Sequence, residues 1–504
     1  MKTPELLDFK QERIRILHLT WFAFFLSFFT WFNMAPLATT MVKTSGWLTT
    51  DHVKALAILN VALTIPARIV IGSLLDKYGP RIVFSLLLIT MAIPTFTFAF
   101  GNSWTQLFIS RLVLSTVGAG FVIGIRMVAE WFPPKMVGRA EGFYAGWGNF
   151  GSAAAAIVLP YVALTMFGGD NGWRYAIVFT GLINLIYGTI YFFVVRDTPE
   201  GKIYQKPKKV GAMEVSSFGD MIQLILWTFP LVGALGLLSW RLNKLGFIND
   251  TALYSAYFVL TAVFIYQVYK IIQVNVPALK KGVPEDDKYK FRNIGVLNST
   301  YFANFGAELA VISMLPAFFE ETFALAPAMA GLIASSFAFV NLFARPLGGL
   351  LSDSLNNRRL VMLFYMLGIG IGFVFMGLIN SSWPLVMAIL VTVVTSMFVQ
   401  GAEGATFAII PLVKKRITGQ VAGMAGAYGN VGSVVYLTLF TMVSTQQFFY
   451  ILAGGAFVSF LLAMFFLEEP KGSFAEDYQL SSVDLEGQQQ TEQKKLVKNE
   501  LVNE

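Results

Sequence analysis

Ala67-Arg68-Ile69-Val70-Ile71-Gly72-Ser73-Leu74-Leu75-Asp76 and Ala344-Arg345-Pro346-Leu347-Gly348-Gly349-Leu350-Leu351-Ser352-Asp353 are two copies of one pattern. In each, Gly follows Arg by four positions, Asp by eight and a second Arg (Arg81, Arg358) by thirteen, so one offset of 277 residues aligns all four pairs. A register kept over that distance marks an internal duplication. Each arginine also lies within a long apolar run, and the rest of the chain is built the same way.

With 56% hydrophobic and 13% charged residues among 504, the composition is that of an integral membrane protein rather than a soluble domain. Runs of about 20 apolar residues, enough to cross a bilayer as helices, fall near 16–40, 54–75, 82–100, 104–131, 139–166 and 173–195, and again near 293–318, 327–351, 359–380, 383–411, 420–443 and 447–467. Two further candidates lie between the sets, near 219–240 and 252–273. The expected architecture is an all-α membrane protein of two six-helix halves related by a pseudo-two-fold axis, with two extra hydrophobic segments between them. Its parts are an N-terminus (1–15), a first half (16–197), a central linker (198–291), a second half (292–467) and a tail (468–504).

The first apolar run lacks a small-residue cleavage site and reads as a retained anchor. Basic loop residues orient the chain. Lys77, Arg81, Lys135, Arg139, Lys206, Lys208, Lys209, Lys280, Lys281, Lys288, Lys290, Arg358, Arg359, Lys414, Lys415 and Arg416 all fall on the side of the N-terminus if every span crosses. The positive-inside rule makes that side cytoplasmic, with both termini there and the protein in the plasma (inner) membrane. Arg241 and Lys244 run against the pattern and leave open whether the extra pair crosses. The tail, rich in Gln, Glu and Lys, reads as a disordered cytoplasmic extension able to bind a regulator.

Several function classes drop out. The net charge of +7 arises mostly in those loops and reflects topology and attraction to membrane lipid, not nucleic acid. The chain has no cysteine and only two histidines, His18 and His52, far apart, so no thiol, metal or catalytic cluster and no cofactor is implied. No P-loop is present.

At 1.5 Å per residue, the guanidinium of Arg68 stands roughly 12 Å above the Asp76 end of its helix, near the bilayer midplane. An arginine there costs at least about 2.5–3.5 kcal/mol and faces a cavity or a partner. Neither arginine has an acid within one turn: Thr64 and Gly72 flank Arg68, and Asn341 and Gly349 flank Arg345. A carboxylate from another helix, Glu308 or Glu403, is one way to balance the charge. Two equivalent arginines facing each other across the axis point instead to a bound anion supplying it. The planar guanidinium fork suits a small planar oxoanion.

A second pattern is also doubled. Ala145-Gly146-Trp147-Gly148-Asn149-Phe150-Gly151-Ser152 returns as Gly426-Ala427-Tyr428-Gly429-Asn430-Val431-Gly432-Ser433. Each asparagine lies roughly 16 Å into its helix, where its amide can donate to an anion. The glycines permit close approach of backbone and substrate, and small residues also favour plain helix packing.

These residues resemble the nitrate/nitrite porters of the major facilitator superfamily over nearly the whole chain apart from the central pair and the tail. Asp76-Lys77-Tyr78-Gly79-Pro80-Arg81 is similar to the superfamily's loop between helices 2 and 3, and Arg111 with Gly118 and Gly120 to its helix 4 pattern. The segments Ala145–Gly151 and Gly426–Gly432, each with Gly-x-Gly-Asn-x-Gly or its near copy, resemble the family's nitrate signatures, and the central pair resembles a feature of some high-affinity nitrate permeases. The resemblance implies a major facilitator fold in which Arg68 and Arg345 clamp nitrate or nitrite and Asn149 and Asn430 contribute. In it the seventh core helix supplies aromatic packing, here Tyr301 and Phe305. In a chain with 15% aromatic residues these two also fit an ordinary core.

The expected function is secondary transport of nitrate, and nitrite with it, by alternating access. Gly146, Gly148, Gly151, Gly429 and Gly432 act as close-approach or flexing points, and Asp76, Arg81, Arg139 and Asp353 gate the cytoplasmic side. Proton symport is the favoured coupling, with Glu308 and Glu403 as candidate proton sites. Nitrate/nitrite exchange, an organic carboxylate exchanger and a nitrate sensor are the alternatives.

Overall fold

The structure is a computed structural model that describes residues 5–209, 211–490 and 493. The first four residues of the expected N-terminal segment and most of the tail beyond 490 lie outside the described residues. The described residues form fourteen long helices. The first half holds α1 (Glu12–Trp31), α2 (Thr50–Tyr78), α3 (Pro80–Ala99), α4 (Trp104–Trp131), α5 (Pro134–Tyr161) and α6 (Gly172–Val194). The inserted pair is α7 (Phe218–Lys244) and α8 (Asp250–Lys281). The second half holds α9 (Phe291–Phe323), α10 (Met329–Ser354), α11 (Arg358–Leu378), α12 (Leu385–Val413), α13 (Thr418–Phe440) and α14 (Thr445–Phe466).

Helix starts follow local chemistry. The side chains of Ser103, Ser217 and Asn249 cap α4, α7 and α8, and Ser444 closes a capping box with Gln447 on α14. Pro80 and Pro134 occupy first helical positions, where a missing N–H costs nothing. Gly79, at φ +91°, turns α2 straight into α3, and a Cβ there would lie 2.7 Å from the Asp197 carboxylate. The first expected span, 16–40, stops earlier: α1 ends at Trp31 and a short turn leads into Ala38–Ser45. Met34 and Leu37 carry the apolar run past the helix end because they are buried in turns.

Among the described residues, thirteen helices are long and apolar enough to cross a membrane. The Gly-rich α13 is the exception, yet it runs beside the others with nearly all its residues through Val434 buried. A helix enclosed by protein need not satisfy lipid.

The duplication is visible in backbone irregularities. α2 breaks at Leu63 and α10 at Val340, 277 residues apart and each five residues before its arginine. Pro66 explains the first break, since it has no N–H to offer Ala62.

The halves meet along two seams, α2 on α13 and α5 on α10. Glycines let the backbones touch. A Cβ on Gly72 would fall 2.3 Å from Gly419 O, and one on Gly349 1.9 Å from Gly138 O. Both seams use the segments Thr64–Tyr78 and Asn341–Ser354. The far segments pack chiefly elsewhere, Thr50–Ala62 on α4 and Pro327–Phe339 on α9. The molecule is thus closed at the end where α1 begins and α14 stops, the terminal end.

The inserted helices form an antiparallel hairpin of the bundle's full height. At the terminal end Asp220 accepts from Phe291 N at 3.2 Å, and at the far end Phe247 lies 5.9 Å from Trp104. α7 packs on α13 and α9, with Tyr428 of the second signature donating to Trp227 O.

Residues 468–490 of the tail depart from the expected disorder. They strap the terminal end across both halves. Lys135 N donates to Ala475 O at 3.3 Å, and Arg358 donates to Ser473 O at 3.2 Å. Arg358 lies 5.1 Å from the Phe474 ring, and Lys415 lies 4.5 Å from that of Tyr478. Asp484 pairs with Arg416 at 3.0 Å, and Ser481 donates to Asp287 at 2.6 Å. Burial would raise the Asp287 carboxyl, but hydrogen bonds from Arg416, Lys414 and Ser481 outweigh it and hold it below the usual carboxylate range. Polar composition hid these anchors.

Candidate anion site

Arg68 and Arg345 are fully buried. Their guanidinium carbons each lie 5.5 Å from the centre of one ring, Phe121 of α4. Arg68 is also 5.4 Å from the Phe305 ring. The rings form a near-parallel row: Phe121 and Tyr301 are 6.1 Å apart at 5°, and Tyr301 and Phe305 are 5.0 Å apart at 6°. Phe407 of α12 meets Phe121 and Tyr301 edge-on at 4.6 and 4.8 Å. Guanidinium groups over aromatic faces keep part of their electrostatic stabilisation while dry. The structure thus brings Tyr301 and Phe305 to the arginines.

The two arginines differ in their partners. Arg68 donates to Gly426 O on α13 and, at 3.4 Å, to Gly118 O. Gly118 lies in the 3-10 turn Ser115–Ala119 that interrupts α4, and such a turn turns carbonyls outward as acceptors. Among the described residues these carbonyls are its only hydrogen-bond acceptors, so its charge has no carboxylate partner.

Arg345 does have one. It pairs with Glu403 of α12 and donates to Tyr301 Oη at 3.1 Å. The expectation that an anion supplies the charge missing at both arginines is corrected here. Glu403 reaches Arg345 because α10 and α12 cross in backbone contact: a Cβ on Gly348 would lie 2.0 Å from Gly401 O, and one on Gly404 2.2 Å from Arg345 O. Behind the pair, Glu308 accepts from Asn341 at 2.8 Å and from Gln400 at 3.4 Å. Glu308 Oε2 and Glu403 Oε1 receive no donor among the described residues.

Asn430 is fully buried, and among the described residues neither atom of its amide has a hydrogen-bond partner. It lies one turn beyond Gly426, on the face that meets Arg68. Asn149 has an unpartnered Oδ1. It follows Gly146, where a Cβ would lie 2.9 Å from Asn341 O of α10. The other signature glycines meet neighbours within their own half. A Cβ on Gly148 would strike the Phe24 ring, on Gly151 Phe25 O, on Gly429 the Tyr301 and Phe305 rings, and on Gly432 Phe302 O. They act as close-approach points, and α5 and α13 run unbroken through them.

At the terminal end two carboxylates cross the seams. Asp76 of α2 accepts from Gly419 N and Gln420 N at the start of α13, at 2.8 and 2.9 Å. Asp353 of α10 accepts from Gly138 N and Arg139 N near the start of α5, at 3.0 and 2.7 Å. Each places negative charge at a positive helix end. Arg139 Nε lies 3.5 Å from Asp353. Arg81, expected in the same gate, stays in its own half, its amide on Asp197 at 2.7 Å and its guanidinium 5.2 Å from the Phe192 ring. The α2–α3 turn at Gly79 aims it at α6. Sequence reasoning missed Arg358, 2.7 Å from Asp353. It also missed Arg126, which holds Glu130 at 2.9 Å and Asp76 at 3.8 Å, and Lys415, which crosses to Glu130 at 3.3 Å.

The sequence profile described as the Major Facilitator Superfamily matches residues 20–282 and 297–498. The chain belongs to the major facilitator superfamily. Within the superfamily it falls among the nitrate/nitrite porters. The nitrate/nitrite transporter NrtP of Nostoc punctiforme is 48% identical over 475 residues, covering 93% of this chain and 95% of that one. That of a Picosynechococcus strain is 47% identical, covering 92% and 94%. The high-affinity nitrate transporter 2.3 of Oryza sativa is more distant, 28% identical over 86% of this chain and 73% of its own. Two solved superfamily members share the fold alone. The proton:xylose symporter XylE has a TM-score of 0.61 at 15% identity, covering 92% of this chain and 98% of its own. The E. coli fucose:proton symporter FucP has 0.58 at 12%, covering 90% and 99%. A superfamily of transporters makes this chain a multi-pass membrane transporter, not an enzyme.

Proposed function

We propose that this chain carries nitrate, and nitrite as a second substrate, across the plasma membrane by alternating access, with uptake driven by protons and both termini cytoplasmic. The observation that carries the reading is the pair of dry guanidinium groups over one Phe121 ring, of which Arg68 has carbonyl partners only. An anion between the arginines would answer that charge, and the idle amides of Asn149 and Asn430 would orient it. The two relatives at 48% and 47% identity, both named nitrate/nitrite transporters, support the substrate. A calorimetric titration of the purified protein tests it. Nitrate and nitrite are expected to compete for one site and succinate to leave both unaffected; competition by succinate would move the reading to an organic carboxylate exchanger.

Coupling follows from energetics. An anion entering a negative-inside cell works against about 2.3 kcal/mol per 100 mV. Glu403, paired with Arg345, and Glu308, bonded to Asn341 one turn before that arginine, are buried acids placed to carry a proton beside the site. This pair favours symport over exchange, which needs no acid. Glu308→Gln is expected to lose proton-driven accumulation and to retain nitrate exchange at equal pH. Accumulation at the parental level would remove Glu308 from coupling.

The signature amides give a smaller effect. Asn149→Ala is expected to weaken apparent nitrate affinity about 3- to 10-fold, the worth of roughly one hydrogen bond, with little change in maximal rate. The concentration dependence of uptake reads it, and an unchanged half-saturation would leave Asn149 a packing residue.

A further inference from the structure

Glu141 of α5 lies outside the site described above. It is fully buried, and among the described residues neither carboxyl oxygen has a hydrogen-bond partner. It borders the α5–α10 seam. A Cβ on Gly138, three residues before it, would lie 2.6 Å from Gly349 O, and one on Gly142, directly after it, 2.7 Å from Arg345 O. The charged and titratable groups that face it are Asp353 of α10, Tyr144 one turn along α5 and Tyr478 of the tail. None of these is a cation. Asp353 has donors for both of its oxygens, from Arg358, Gly138 N and Arg139 N. Glu141 has none.

An ionised carboxylate sealed in a dry seam with no donor, next to a second carboxylate, carries a desolvation cost of several kcal/mol. The same group is harmless as the neutral acid or when water reaches it. Separation of α5 from α10 would bring water to it.

We infer that Glu141 makes closure of the terminal-end seam conditional on a proton. The closed form holds the neutral carboxylic acid. When the seam opens, the O–H proton passes to water on that side and the carboxylate is hydrated; closing takes one proton back from the same side. The net proton count over a cycle is zero at this residue, so it sets the pH dependence of the gate and not the driving force. Glu141 is a positioning residue and touches no substrate. The inference rests on the alternating-access reading above.

The chain has no cysteine, so a spin-label pair can be placed cleanly. Tyr78→Cys and Leu355→Cys put labels at the last residue of α2 and just past the end of α10, one in each half at the terminal end, where the native residues are 47% and 57% exposed. In the labelled full chain in lipid nanodiscs, the ratio of long to short distances is expected to rise at least about tenfold between pH 6 and pH 8.5, since uptake of one proton on closing changes the ratio by up to tenfold per pH unit. In the same chain with Glu141→Gln, which keeps a neutral side chain of equal size, the ratio is expected not to change with pH. A pH-independent ratio with native Glu141 overturns the inference even if the Gln variant fails to fold. An equal response in both chains also overturns it. The distances need no anion, so a gate that responds to pH through Glu141 in a protein that moves no nitrate would support this inference and refute the substrate reading.

Discussion

Replacing Arg68 with lysine is expected to cut nitrate uptake roughly 30- to 150-fold, the worth of about 2–3 kcal/mol for charge-assisted hydrogen bonds lost at a buried site. Lysine keeps the charge and loses the fork. One ammonium cannot reach both Gly118 O and Gly426 O, the acceptors that hold Arg68 from two helices, and still present two parallel donors to a planar anion. The effect should appear in uptake while far-UV circular dichroism and elution volume stay those of the parent. Uptake within twofold of the parent would take Arg68 out of the site. Arg345 is a poorer first target. Its removal leaves Glu403 buried without its partner, and the resulting instability would obscure any transport defect.

The second large effect concerns the seams. Gly72→Ala and Gly349→Ala together are expected to abolish transport by propping the terminal end open. The added methyl groups would fall 2.3 Å from Gly419 O and 1.9 Å from Gly138 O, and backbone oxygens cannot rotate away as side chains can. Each clash disfavours the closed form by roughly 1–3 kcal/mol, and the two added methyl groups share no neighbour, so the effects add. Label distances at Tyr78→Cys and Leu355→Cys should shift to the long population, with nitrate binding retained. Gly233→Ala and Gly331→Ala are the controls, since a Cβ there meets nothing within 4 Å. Transport at the parental level in the double variant would show that the two seams need not close in the cycle.

The residues explain what could be read beforehand. Arg68, Asp76, Arg345 and Asp353 announced a duplicated membrane bundle because their spacing survives in both copies, and the structure repeats it in the helix breaks at Leu63 and Val340. Tyr301 and Phe305 could be placed through the family resemblance. Phe121 and Phe407 could not, because one aromatic residue in a chain with 15% of them carries no positional signal. The Arg345–Glu403 pair depends on how closely α10 and α12 cross, which glycines at 348, 401 and 404 decide in three dimensions. The tail misled by its polar composition. Phe474 and Tyr478 anchor it under basic residues, and Val483 is buried in the fold.

The central claim is proton-driven movement of nitrate through the paired arginines. Its most direct test is nitrate uptake into proteoliposomes at clamped membrane potential, with and without an inward proton gradient and with or without internal nitrite. The account predicts accumulation in nitrite-free vesicles that depends on the proton gradient and is lost in Arg68→Lys. Uptake only when nitrite is inside would contradict symport in favour of exchange, and nitrate binding with no flux would contradict transport itself.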